Sequence, residues 1–169
     1  SIITAFNDTR CGYSVDRVIA DPEINAQFII RCRQLGLEES SVKLNLTLLN
    51  LRKAGLLRGS ERSKRTSFPN EESYRHASEV ATRHLERRQS TTVDAILCDE
   101  VLAREFDSIA SDIAFGFTSL QYRWAALNLR KARKLRPEIL SLVVRPSGVT
   151  LGRVEDKPAM SFRINKVCT

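Results

Sequence analysis

The chain has 169 residues, 42% hydrophobic and 28% charged, a balance that fits a folded globular protein and excludes disordered and fibrous classes. Its formal charge of +7, from 27 Lys and Arg against 20 Asp and Glu, makes an anionic partner the leading class of ligand without selecting one. No apolar run approaches the roughly 18 residues that span a bilayer, and the stretch from Ser1 to Phe6 lacks the charged region of an export signal, so a cytoplasmic protein without membrane contact is expected.

Residues 1–13 are taken as an N-terminal extension; Ser1 in place of Met is expected of a piece of a longer chain or of a removed tag. Val15, Val18 and Ile19 have the spacing of a short helix. Asp21-Pro22-Glu23 then supplies an N-cap, a proline at the first helical position and an acid in the first turn, so a second helix begins there. Ile24, Phe28, Cys32 and Leu35 keep one apolar face until Gly36 ends it. Ser40-Ser41 caps a third helix that closes near Arg52-Lys53-Ala54. From Arg58 to Ser67 the chain is basic and serine-rich, and Pro69-Asn70 opens a connecting helix from about Glu71 to Gln89 with Tyr74, Ala77, Ala81 and Leu85 along one side.

The chain then repeats itself. Residues 15–58 align without a gap onto residues 93–136, with about 13 of roughly 44 positions identical against about 3 expected by chance. Val15-Asp16, Asp21, Phe28, Ser41 and Leu49-Asn50-Leu51-Arg52-Lys53-Ala54 recur as Val93-Asp94, Asp99, Phe106, Ser119 and Leu127-Asn128-Leu129-Arg130-Lys131-Ala132. Glu100 stands where the first copy has Pro22, leaving the first two helices of the second copy free to fuse. Beyond Pro137 the pattern changes: Ile139 to Val144 is continuously apolar, and Met160, Phe162 and Ile164 alternate with polar residues. The predicted fold is mainly α with a small β component. Two tandem helical repeats (14–68, with a short basic loop, and 91–136) are joined by a connecting helix (69–90), and a C-terminal antiparallel hairpin or meander (137–169) closes the chain.

Little in the sequence points to catalysis. His76 and His84 lie on the connecting helix without carboxylates or cysteines at ligand spacing, and no phosphate-cradling glycine loop, nucleophile elbow or zinc motif is present. Cys11, Cys32, Cys98 and Cys168 are far apart and unmatched between the copies, which is not a disulfide or metal framework; reduced thiols are expected. A protein that is not an enzyme, with no catalytic residues, metal, cofactor or small-molecule substrate, follows.

The basic residues carry the leading functional reading. Leu51 to Leu57 followed by Arg58 to Phe68, and Leu129 to Leu135 followed by Ile139 to Val144, a turn and Val149 to Val154, have the order of a helix end and a wing. In this order the chain resembles the winged-helix branch of the helix-turn-helix superfamily over about residues 14–68 and 92–155, departing where Arg133 replaces Gly55. The resemblance implies two DNA-binding units whose basic loops touch the phosphate backbone. The residues expected to contact nucleic acid are Arg58, Arg62, Lys64, Arg65, Arg130, Arg133, Lys134 and Arg136.

One geometric feature weighs against the simplest version. At about 100° per residue, Val42, Leu46 and Leu49 form one apolar strip of the third helix and Leu44, Leu48 and Leu51 another on nearly the opposite side; Leu120, Trp124, Leu127 and Tyr122, Ala126, Leu129 repeat both. Such a helix is largely buried. The shared Asn-Leu-Arg-Lys motif is accordingly expected to be structural, its Arg and Lys complementing the helix C-terminus. Two readings remain: a non-enzymatic duplex-DNA-binding module, and a helical protein-interaction or scaffold domain of a larger protein, with an accessory domain of a nucleic-acid enzyme compatible with the first.

Overall fold

The computed structural model of the chain describes residues 1–57 and 63–132. They form eight helices: α1 (Ile2–Thr9), α2 (Val15–Ala20), α3 (Pro22–Gln34), α4 (Ser41–Lys53), α5 (Glu71–Gln89), α6 (Val93–Cys98), α7 (Glu100–Ile113) and α8 (Ser119–Lys131). No strand occurs among the described residues, which corrects the expected β component. The C-terminal hairpin (137–169) lies outside the described residues. Of the expected wing after the first repeat, residues 58–62 lie outside the described residues, and residues 63–68 form a strap whose Lys64 amide donates to the Gly12 carbonyl at 2.8 Å.

The caps explain the boundaries. Asp21 and Asp99 each turn a carboxylate back onto the two following amides, Glu23 and Ile24 in one copy, Val101 and Leu102 in the other. That cap breaks α6 from α7 as cleanly as α2 from α3, although Glu100 replaces the proline; the aspartate in extended backbone sets the break. Ser40 and Thr118 cap α4 and α8, the latter in a capping box with Gln121. At the end of α4, Gly55 at φ +69° lets the Leu56 amide close on the Leu51 carbonyl, turning the chain off the helix axis.

The repeating unit has four helices. Helix α1 packs on α3 and α4 as α5 packs on α7 and α8. Helix α5 is the longer, and buried Ser78 and Thr82 return their hydroxyls to the carbonyls four residues back, which pairs these two hydroxyls within the helix where it meets its neighbours. It covers the Tyr122, Ala126, Leu129 strip of α8, where Tyr74, Phe117 and Tyr122 pack ring against ring.

The opposite strips turn toward the other copy. Contacts between the copies are reciprocal, α2 with α8 and α6 with α4, which defines a pseudo-two-fold axis as in an isologous dimer. Ile19 and Leu97, Leu49 and Leu127 meet around this axis, and one hydrophobic core runs through both copies. Because neither copy can hide these residues alone, Leu49→Ala and Leu127→Ala are each expected to cost about 2–5 kcal/mol. Urea denaturation should show a lower midpoint and a single transition in each variant; two separate transitions would refute a shared core.

Candidate functional site

Two different poles lie on the pseudo-two-fold axis, on either side of the leucine layer. The first is charged. Asp16 and Asp94 occupy the first turns of α2 and α6, while Arg52, Lys53 and Arg130, Lys131 occupy the last turns of α4 and α8. Within each copy, Arg52 pairs with Asp16 and Arg130 with Asp94. Across the copies, Lys131 reaches Asp16 at 3.0 Å, Lys53 reaches Asp94 at 3.4 Å, and Arg130 bridges to Asp16 at 3.3 Å. The carboxylates are inside, 8% and 17% exposed, and the two lysines are outside, 57% and 46% exposed. Lys131 also lies over the Trp124 ring, 4.8 Å from its centroid.

Burial alone would raise the Asp16 carboxyl, but the Lys131 hydrogen bond and the charges of Arg52, Lys131 and Arg130 override it and hold its pKa below the ordinary carboxylate value. Nearby, burial and the neighbouring Asp94 push the Cys98 thiol up to about 12, so at neutral pH it is a protonated small hydrophobe and not a nucleophile.

The second pole is a cleft of about 360 Å³ between α2, α3, α4, α6, α7 and α8, lined by apolar residues together with polar ones that include Glu100, Arg104 and Arg123. Its floor is a reciprocal amide pair, Asn25 and Asn45, bonded at 2.9 and 3.2 Å, with Asn45 also donating to the Cys98 carbonyl at 3.1 Å. The residue equivalent to Asn45 is Arg123, held by Asp107 through its Nε at 3.0 Å and its Nη2. His76 and His84 lie in separate shallow grooves on α5. No group of three His, Cys, Asp or Glu able to hold a metal occurs among the described residues, and none of their helices is long and apolar enough to cross a membrane.

The residues expected to bind nucleic acid divide into three groups. Arg130 is committed to Asp94 and Asp16 in the charged pole. Lys64 and Arg65 are exposed on the strap; the Lys64 ammonium lies 5.4 Å over the Tyr13 ring, and Arg17 is stacked between Tyr13 and Phe68, which fixes the strap beside the start of α2. Arg58, Arg62, Arg133, Lys134 and Arg136 lie outside the described residues. From the sequence, Asp94 is expected only as one of several acids that offset the basic third helix of the second copy, and Asp16 and Lys53 carry no site reading. The available signal was that acids and bases were duplicated together, Asp16 with Arg52-Lys53 and Asp94 with Arg130-Lys131.

Position also matters to net charge. Of the chain's 27 basic and 20 acidic residues, 17 and 16 fall among the described residues, leaving a formal +1 for the helical body; the remaining 10 basic and 4 acidic residues are in 58–62 and 133–169. The chain matches no protein-family model, no curated protein and no solved structure.

Asp16→Asn removes the inner carboxylate from three cations. It is expected to cost about 1–3 kcal/mol, less than a fully buried pair because the cations reach solvent, and Asp94→Asn, at the more exposed carboxylate, should cost less. Since the Asp16 pKa is lowered by folding, its contribution is complete above the unfolded value of about 4 and is lost as pH falls through the lower folded value. Acid titration followed by circular dichroism should therefore show a shallower stability loss below about pH 4 in Asp16→Asn than in the wild type; parallel curves would refute the coupling.

Proposed function

We propose that the protein is a non-enzymatic nucleic-acid-binding module that engages duplex DNA through one polybasic face. The supporting observation is the convergence of basic chain at the start of α2. Lys131, at the end of α8, is bonded to Asp16, so Arg133, Lys134 and Arg136 follow in the chain directly from that point. Arg52, at the end of α4, is bonded to the same Asp16, so Arg58 and Arg62 follow from there too. Lys64 and Arg65 are brought back to α2 by the strap. The described body is itself close to neutral, and the surplus of basic residues lies in the segments that follow α4 and α8 in the chain.

This arrangement differs from two independent reading heads. Helix α8 buries Tyr122 through Leu127 and Leu129, so it offers little side-chain surface to a groove. Binding through phosphates, with base sequence weighing little, is what such a face supports. The alternative, a protein-interaction scaffold, draws on exposed apolar side chains, Phe115 at 88% and Val101 at 68% exposed. It entails no affinity for DNA, so one titration separates the two.

That titration follows a fluorescent duplex by anisotropy. If six basic residues contact phosphates, affinity should fall about 10³-fold between about 50 and 200 mM salt. Reversing Arg62, Lys64 and Arg65 to Glu, or Arg133, Lys134 and Arg136 to Glu, should each weaken binding at least about 10-fold at low salt. Absence of binding at about 50 mM salt, or two reversal variants that bind like the wild type, would refute the reading.

A further inference from the structure

The charged pole holds more positive than negative charge. Its six side chains carry four cations and two carboxylates, and the helix ends do not remove the surplus: the C-termini of α4 and α8 add partial negative charge, and the N-termini of α2 and α6 add partial positive charge. One guanidinium, that of Arg130, contacts both Asp16 and Asp94, so the six groups are crowded around the axis. The carboxylates are covered, and the lysines stand over them from opposite copies, each using one contact to an aspartate. An ammonium has three donors, so Lys53 and Lys131 retain N–H groups directed away from their aspartates. Among the described residues these are two half-exposed ammonium groups with donors to spare, backed by guanidinium groups in a cluster with two more cations than carboxylates, and they suit a tetrahedral phosphate-class oxyanion with two or more acceptor oxygens.

We infer that the pseudo-two-fold pole binds a phosphate-class oxyanion between Lys53 and Lys131. As a contact for nucleic acid this rests on the reading above; as an oxyanion site it does not. The bound anion neutralises the surplus and relieves the repulsion among the four cations, so it stabilises the fold as well as occupying a site. Its source is either a backbone phosphodiester or a free phosphorylated molecule, and the two share this chemistry.

The full chain carries its own reporter, because its single tryptophan is Trp124, in contact with Lys131. Inorganic phosphate titrated against sodium chloride at matched ionic strength should give a saturable change in Trp124 fluorescence, and at ten times Kd a rise in Tm of about 3 °C. Lys53→Met leaves Trp124 and Lys131 in place and should weaken phosphate binding at least about 10-fold, while Lys53→Arg should largely restore it. Circular dichroism checks that both variants fold. No saturable change in the wild type, or a Lys53→Met variant that titrates like it, would overturn the site. Phosphate that displaces a labelled duplex identifies the backbone as the source; phosphate that binds without displacing it identifies a free phosphorylated ligand. A protein that binds phosphate but no duplex removes the nucleic-acid reading and leaves the oxyanion site standing.

Discussion

Neither copy of the repeat satisfies its own aspartate. Asp16 is closed over by Lys131 and Arg130 from the second copy, and Asp94 by Lys53 from the first, in addition to the arginine that each finds at home. A covered carboxylate with too few partners is costly, so the charge cluster favours the one docking of the halves in which both acids are reached at once. The leucine layer beneath it is non-directional, and apolar contact alone would tolerate a slipped arrangement. The ionic layer fixes what the apolar layer stabilises.

The same economy governs where surface charge goes. The cations that end α4 and α8 are used to join the copies, and they also bring the starts of two basic stretches to a common place. The described helical body is nearly neutral, and most of the chain's net positive charge falls, in sequence, in residues 58–62 and 133–169. The opposite pole has diverged. An amide pair there, Asn25 with Asn45, has no counterpart in the second copy, where Ala103 and an Arg123–Asp107 ion pair stand instead.

Local features were legible in the sequence because their causes are local. Asp21, Ser40, Asp99 and Thr118 announced their helices, and the two opposed apolar strips announced the burial of α8 more fully than that of α4, where Val42, Leu46 and Leu51 stay half-buried. Helix α1 was not legible, since eight residues are too few for periodicity to stand out. The break before α7 was obscured by attention to proline, when the aspartate was the residue in common. What the Arg-Lys motif does was half visible. Complementing a helix terminus is a property of one helix, whereas meeting an acid more than a hundred residues away, as Lys131 meets Asp16, is a property of the docked pair. The expected strands fall on residues outside the described structure, and in the part described the serine-rich stretch is held by Tyr13, Gly12 and Arg17 as a strap.

The strap and α5 have one more consequence. Two separate copies of such a unit would meet only as often as their concentration allowed, and the pole between them would vanish on dilution. Joined in one chain, the halves face each other at an effective concentration set by the connection, in the millimolar range for short linkers. Assembly becomes a unimolecular step, and a surface that needs residues from both halves exists even at a few molecules per cell.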